Sequence, residues 1–284
     1  MNNRLFEAAQ QLRQADRRGL SPYLTAGDGG LDLTLELLHA LERNGASCCE
    51  LGVPFSDPIA DGPVLQLAAD RALAAGTTVD GIFAMVSRFR SAGGRLPIAL
   101  MSYWNPLGHR GWPQVCAEAK QAGVDGFIIP DLPVEESAPV SDAAAANDLC
   151  TIYFAAPTSS DQRIRAAAAA SSGFLYVVGR TGVTGAGTTF DPQAQSFLEH
   201  VRHLAGDLPI AVGFGIAQAD DVAAATTHAD IAIVGTALVR HIFEARSNAE
   251  AQDPSSGNSA AIAAAGSYVR ELCGGLTSTS NSGA

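Results

Sequence analysis

The chain contains 284 residues, of which 47% are hydrophobic, and its 18 basic and 29 acidic side chains give a formal net charge of −11 at pH 7. Binding the phosphates of a nucleic acid requires clustered Lys and Arg, so this acidic balance argues against a nucleic-acid-binding surface. No apolar run approaches the ~20 residues that cross a bilayer. The five cysteines include no C-x-x-C pair, and the N-terminus has no signal-peptide core, so we expect a globular, cytoplasmic protein with reduced thiols.

Short apolar runs alternate along the chain with longer segments of helical periodicity. A helical pattern over residues 1–19 comes first, and eight apolar runs rich in β-branched residues follow it. Continuous apolar runs are typical of strands buried on both faces, as in a parallel sheet covered by helices. The eight runs cover residues 21–26, 48–53, 97–103, 126–131, 151–156, 174–179, 209–214 and 230–235. Apart from this alternation, we find no internal repeat of fixed period.

Eight strands that are each followed by a helix predict a single (β/α)8 TIM barrel, a fold that needs about 250 residues. An open, doubly wound sheet is the alternative. The N-terminal helix is extra to the barrel, and the segment GTALVRHI at 235–242 predicts a short helix after strand eight, at the usual phosphate site. We expect a loop over 247–259, a final helix over 260–272 and a disordered Gly/Ser-rich tail over 274–284, which leaves residues 1–273 as the barrel domain.

The densest polar segment is ELGVPFSDPIADGP at 50–63, which begins in the second apolar run. A carboxylate such as Glu50 inside an apolar strand is costly unless it is paired or functional, and burial raises its pKa toward neutrality. Such a group suits proton transfer, and the loop that follows could bring Asp61 over the barrel mouth to face Glu50. The alternative is that Glu50 pairs with a structural Lys or Arg and that Asp61 caps the next helix.

Glycines follow the last three predicted strands, where backbone N–H groups and a helix start could bind a phosphate. These positions are Gly185 and Gly187, then Gly213 and Gly215, then Gly235 with Thr236. The alternative is that the glycines only form tight turns. No segment predicts a metal site, because His200 and His203 have no accompanying carboxylate or cysteine cluster and fit a solvated helix face.

Residues 50–63 resemble the signature of the tryptophan synthase α-subunit family, whose pattern is close to L-E-L-G-x-P-[FY]-S-D-P-x-A-D-G-P. Every constrained position from Glu50 to Pro63 matches, and Cys49 stands where leucine is usual. Further family segments follow in order: PYLTAGD at 22–28, PDLPVEES at 130–137, GRTGVTGAGT at 179–188 and GFGI at 213–216. The resemblance covers residues 1–272 and implies a TIM-barrel lyase that cleaves indole-3-glycerol phosphate to indole and D-glyceraldehyde 3-phosphate, for L-tryptophan synthesis.

The resemblance also implies roles for individual residues. Glu50 matches the general acid/base, Asp61 the carboxylate that binds the indole N–H, and Tyr176 a tyrosine that assists Glu50. The substrate-binding residues that it implies are Tyr23, Met101 and Phe154 for the indole ring, Gly185, Gly215, Gly235 and Thr236 for the phosphate, and Thr184 on a mobile loop that closes over the site.

In this family the α subunit works with a β subunit in an αββα complex, and pyridoxal phosphate belongs to the β subunit. The resemblance therefore implies no cofactor and no metal in this chain, and it places the partner against residues 57–58 and 105–106. Two alternatives are a sugar-phosphate epimerase or isomerase, which the near absence of lysine disfavours, and an inactive barrel that only binds a β partner. The presence of Glu50 and Asp61 disfavours the inactive barrel.

Overall fold

Parallel strands form a barrel in the computed structural model, which describes residues 2–179, 192–213 and 215–276. The strands are β1 (Gly19–Thr25), β2 (Cys49–Gly52), β3 (Ile98–Met101), β4 (Gly126–Ile128), β5 (Cys150–Ile152), β6 (Phe154–Ala155), β7 (Leu175–Val178), β8 (Ile210–Gly213) and β9 (Ile231–Val234). Neighbours pair in the order β5-β4-β3-β2-β1-β9-β8-β7-β6. Because the first strand pairs with the last, the predicted TIM barrel is confirmed and the open doubly wound sheet is wrong.

The predicted fifth strand is divided at Tyr153 into β5 and β6. The Tyr153 N–H donates to the Ser171 hydroxyl (3.0 Å), whereas its carbonyl still accepts from the Tyr176 N–H of β7 (2.9 Å). Since β5 pairs with β4 and β6 pairs with β7, this one extended stretch closes the barrel. The two short strands therefore occupy one of the eight strand positions that the sequence predicts.

Helices surround the barrel and bury their apolar faces against it. They are α1 (Arg4–Gln14), α2 (Leu31–Arg43), α3 (Pro63–Ala74), α4 (Val79–Ser91), α5 (Trp104–Gly108), α6 (Trp112–Ala122), α7 (Ala138–Ala145), α8 (Asp161–Ala170), α9 (Pro192–Ala205), α10 (Ala219–Thr226), α11 (Thr236–Glu250) and α12 (Gly257–Cys273). In α2, for example, Leu33, Leu37 and Leu41 are all buried, as their spacing predicts. None of the helices in these described ranges is long and apolar enough to cross a membrane.

The helix after the last strand is confirmed, but it is not short. The sequence predicts a helix at 235–242 and a loop over 247–259, whereas α11 continues to Glu250 and α12 already begins at Gly257. Arg246 pairs with Glu250 one turn later (2.8 Å), which supports the extra turns until the chain reaches Pro254. Of the predicted tail, Leu276 packs against the core, and residues 277–284 lie outside the described part of the chain.

The predicted N-terminal helix α1 closes the base of the barrel, where the amino ends of the strands lie. The Asn3 side chain caps this helix by accepting hydrogen bonds from the N–H groups of Leu5 and Phe6. Leu5 and Ala9 are buried in the cluster that fills the barrel interior. The helix therefore seals the base of the barrel interior with apolar side chains.

Asp125, directly before β4, is the centre of an ion-pair cluster at the barrel base, the first base cluster. Its buried carboxylate accepts a hydrogen bond from the Ile98 N–H at the start of β3 (2.8 Å). The same carboxylate lies 2.9 Å from Arg90 Nη2 at the end of α4 and 2.9 Å from Arg4 Nε of α1. The cluster therefore joins α1, α4 and two strands.

Asp230, directly before β9, forms an equivalent second base cluster. Its carboxylate accepts from the N–H at the start of β8 (2.8 Å) and pairs with Arg202 Nη2 (2.5 Å) and, from α1, with Arg13 Nη1 (3.5 Å). The segments RSAGGRLPI at 90–98 and RHLAGDLPI at 202–210 supply the matching groups. The barrel thus contains a repeated unit whose two copies lie far apart in the chain and form no repeat of fixed period.

Replacing Arg90 with methionine leaves the buried Asp125 carboxylate with one cationic partner fewer, and we expect the free energy of unfolding to fall by about 3 kcal/mol. Arg88→Met is the matched control on the same helix, because Arg88 forms an exposed pair with Asp32 whose loss costs less than about 1 kcal/mol. Urea denaturation of both variants measures the difference. Equal losses would contradict a stabilising role for the buried cluster.

Candidate active site

Glu50 lies within β2, next to Tyr23 of β1 and Ala99 of β3 in the strand register. The residue is 1% exposed, and within the described residues its Oε1 atom has no hydrogen-bond partner. Burial raises the pKa of the Glu50 carboxyl to about 8. Since no Lys or Arg of the described part pairs with it, the alternative of a structural ion pair finds no support. The group is therefore a buried carboxyl that exchanges its proton near neutral pH.

Aromatic side chains surround this carboxyl. Burial raises the pKa of the Tyr23 and Tyr176 phenols, and the nearby Glu50 raises both further. The ring of Tyr176 lies 4.8 Å from that of Phe154 between centroids. Met101, at the end of β3, contacts both the interior cluster that includes Tyr176 and the smaller cluster that includes Tyr23. The predicted catalytic tyrosine and the three predicted indole-pocket residues are therefore brought together around Glu50.

Two glycines leave space for the tyrosine hydroxyls. A Cβ atom on Gly52 would lie 2.0 Å from Tyr23 Oη, and one on Gly213 would lie 3.0 Å from Tyr176 Oη. The sequence pattern predicts no role for Gly52, and it predicts Gly213 only as a candidate for phosphate binding. The contacts join different strands, so no local pattern in the sequence could have shown them.

Asp61 lies in the loop over residues 53–62, which follows β2 at the barrel mouth. It is not the cap of α3, because the N-cap residue is Gly62 and no side chain caps that helix. Burial raises the pKa of the Asp61 carboxyl, and a hydrogen bond with Tyr103 opposes that rise. Asp61 also raises the pKa of the two tyrosines that flank Glu50. The loop therefore brings the second predicted carboxyl to the same site.

The start of α11 provides free backbone donors at the barrel mouth. Gly235 is the N-cap residue and Thr236 the first helical residue, and no side chain among the described residues caps this helix. Its first N–H groups and its dipole therefore favour an anion. The neighbouring helix α10 is instead closed by a capping box of Gln218 and Asp221. Gly215, in the loop between β8 and α10, has φ +70°, a backbone conformation that glycine adopts readily.

Three predicted residues, Thr184, Gly185 and Gly187, fall within residues 180–191 and so lie outside the described part of the chain. Their assignment stays a prediction. Within the described ranges, no group of three His, Cys, Asp or Glu residues could hold a metal ion. His200, which the sequence placed on a solvated face, lies 2.8 Å from Asp161 of α8.

A family model for the tryptophan synthase alpha chain matches residues 9–265, which is most of the sequence. The chain belongs to the tryptophan synthase alpha chain family. It is 48% identical to the alpha chain of Alkalilimnicola ehrlichii, over 84% of this chain and 87% of that relative. It is 45% identical to the alpha chain of Chloroflexus aggregans, over 95% and 97% of the two chains. The crystal structure of the alpha chain from Legionella pneumophila superimposes with a TM-score of 0.85 at 34% identity, over 99% of this chain and 100% of its own.

The signature of the tryptophan synthase alpha chain family therefore spans both carboxyl groups of the site, from Glu50 in β2 to Asp61 in the following loop. Tyr103 is the candidate that sequence reasoning missed. Its hydroxyl hydrogen-bonds to the Asp61 loop across a separation of 43 residues. Its place just after β3 was the available signal, because side chains that follow the strands of a TIM barrel form its active site.

Glu50→Gln is expected to stabilise the folded chain in a pH-dependent way. The pKa of this carboxyl rises from an ordinary 4.5 to about 8 on folding, so the folded chain keeps a proton that the unfolded chain loses. Between these values the wild-type free energy of unfolding falls by about 1.4 kcal/mol per pH unit from this group. Glutamine does not titrate. The gain in free energy of unfolding of the variant over wild type should therefore be negligible near pH 4.5 and largest above about pH 8.

Urea denaturation of Glu50→Gln and wild type at about pH 4.5 and pH 8.5 measures this effect. Glu36→Gln makes the same chemical change at an exposed position of α2 and serves as the control. A stability difference that does not change with pH would show that Glu50 is not a buried titrating group.

Proposed function

We propose that this chain catalyses the retro-aldol cleavage of indole-3-glycerol phosphate to indole and D-glyceraldehyde 3-phosphate, with the barrel as its catalytic domain. The observation that carries this proposal is the buried Glu50 carboxyl, whose pKa of about 8 lets one group both give and take a proton near neutral pH. Membership of the tryptophan synthase alpha chain family supports the same lyase reaction.

The cleavage breaks the bond between indole C3 and the neighbouring glycerol carbon. The C3 atom gains a proton, and the hydroxyl on the neighbouring carbon loses one as it becomes the aldehyde. Glu50 is the acid that protonates C3 and the base that accepts the hydroxyl proton, so its carboxyl is protonated both before and after the reaction. Burial raises the pKa of Tyr176 well above its ordinary value, and the protonated phenol assists Glu50 as a hydrogen-bond donor.

Protonation at C3 puts positive charge on the indole ring and on its nitrogen. The Asp61 carboxylate accepts a hydrogen bond from the indole N–H and stabilises this charge as it develops. The hydrogen bond from Tyr103 favours the ionised form that this role requires. The side chains of Tyr23, Met101 and Phe154 provide the apolar and aromatic surfaces that suit a flat ring.

The phosphate group binds the uncapped start of α11, through the N–H groups of Gly235 and Thr236. The backbone of Gly215 contributes from the preceding loop, and Gly185 adds a further N–H group. Thr184 belongs to the segment that closes over the bound substrate and excludes water. Support for these roles comes from the free donors of α11 and, for residues 184 and 185, from the family motif.

A β subunit that takes up the indole in an αββα complex is the proposed partner, with pyridoxal phosphate bound by that subunit and no cofactor in this chain. The family resemblance places this partner against residues 57–58 and 105–106, and the apolar side chain of Ile59, next to the first of these segments, is 83% exposed. Tryptophan synthase from M. tuberculosis, in an open form, is a structural relative at a TM-score of 0.81 and 29% identity, over 96% of this chain and 98% of its own. A cytoplasmic location is supported by the five cysteines, which all lie within the described residues and form no disulfide.

Glu50→Gln should reduce kcat for indole release by roughly 10³-fold or more, because glutamine cannot transfer the proton. Asp61→Asn should reduce kcat by about 10²-fold, because a neutral amide stabilises the cationic ring less well. Indole is measured with the purified chain alone and again with a β subunit. Glu36→Gln should retain the wild-type rate, and a wild-type chain that releases no indole in either case would be a binding subunit only.

Thr236→Ala removes a hydroxyl at the phosphate-binding helix start and leaves the backbone donors in place. We expect KM for indole-3-glycerol phosphate to rise roughly tenfold while kcat changes little, since the phosphate binds equally in the ground and transition states. Steady-state kinetics separates the two constants. A fall in kcat at constant KM would place Thr236 in the chemical step and not in phosphate binding.

A further inference from the structure

Tyr103 is held firmly at the barrel mouth, directly after β3. Tyr103 is 5% exposed, and the centroid of its ring lies 5.6 Å from the centroid of the Phe55 ring. The backbone on either side is fixed, because the Ser102 N–H donates to the Ile128 carbonyl (3.0 Å) and the following N–H of Trp104 donates to an Asp131 carboxylate oxygen. The phenol therefore projects from a rigid part of the barrel.

The Tyr103 hydroxyl is bonded to the loop over 53–62 directly before Asp61. It accepts a hydrogen bond from the Ala60 N–H at 2.8 Å, and the neighbouring Asp61 carboxylate raises the pKa of the phenol. A phenol hydroxyl offers one proton and accepts through oxygen, so its proton remains available to that carboxylate. The hydroxyl thus fixes the backbone before Asp61.

The loop that carries Asp61 leaves the barrel at Val53, whose N–H donates to the Met101 carbonyl (2.8 Å). It then runs outward, as the 83% exposure of Ile59 shows, before it returns to the barrel at Ala60 and Asp61. A carboxylate on such a loop needs a fixed partner to remain in one place over the site. The Tyr103 hydroxyl is positioned to be that partner.

We propose that Tyr103 is a positioning residue that holds the Asp61 carboxylate at the barrel mouth, with one oxygen bonded to the phenol and the other left to accept the indole N–H. This inference rests on the proposed role of Asp61 in the cleavage. Burial and the neighbouring carboxylate raise the pKa of Tyr103, so the phenol keeps the proton that it donates. Its effect on the reaction passes through Asp61 and requires no contact with the substrate.

The test is a double-mutant cycle with Tyr103→Phe, Asp61→Ala and the double variant, measured as kcat and KM for indole release. Tyr103→Phe alone should lower kcat about tenfold and change KM less than about twofold, since the lost hydrogen bond acts when charge develops on the ring. In the Asp61→Ala background, the same change should alter kcat less than about twofold. An equal loss in both backgrounds, or no loss in the single variant, would overturn the inference.

Tyr153→Phe is the matched control. It removes a buried tyrosine hydroxyl that bonds to Ser141 of α7 at 2.7 Å. It should leave kcat unchanged, and the thermal midpoints of both tyrosine variants show whether they fold.

A second measurement does not depend on turnover. Carboxyl NMR of Asp61 should show a higher pKa in Tyr103→Phe than in wild type or Tyr153→Phe, because the phenol stabilises the ionised carboxylate. An unchanged pKa would show that Tyr103 does not hold Asp61. A wild-type chain without turnover would overturn the proposed function, and a raised pKa would then still support the contact between the two side chains.

Discussion

The desolvation of one carboxyl group, Glu50, is the constraint on which the site depends. The barrel interior around it is formed by apolar and aromatic side chains of neighbouring strands, so water does not offset the cost of its charge. The same burial that gives the group a pKa of about 8 makes the folded chain less stable at neutral pH than it would be with a neutral residue there. Reactivity at the mouth therefore depends on stability that comes from elsewhere in the fold.

The two base clusters at the other end of the barrel join α1 to the strands and to two further helices. Asp125 and Asp230 each combine a strand N–H, a helix arginine and an arginine from α1. These carboxylates are buried like Glu50, but their charges are paired. They lie at the amino ends of the strands and the site lies at the carboxyl ends, and the base charges are not among the causes that raise the pKa of Glu50. TIM barrels divide stability and chemistry between their two faces in this way.

Much of the fold follows from the sequence, because continuous apolar runs and helical stripes report burial directly. The eight strand positions, the N-terminal helix and the carboxyl at Glu50 could all be predicted from local patterns. The length of α11 could not, since the Arg246–Glu250 pair supports a segment of loop-like composition. Tyr103 and the arginines of the base clusters were also missed, because their roles depend on partners tens of residues away. In the sequence alone, Arg90 of α4, which pairs with the buried Asp125, cannot be distinguished from Arg88 of the same helix, which is exposed.

The close approach of Tyr23 Oη to Gly52 limits the order in which this pocket can change during evolution. Any side chain at position 52 would occupy the space of that hydroxyl, so the substitution is harmful while tyrosine remains at 23. After Tyr23 is replaced by a smaller residue, the same substitution becomes sterically possible. The two positions are therefore epistatic, because a side chain at position 52 requires a change at position 23 before it or together with it.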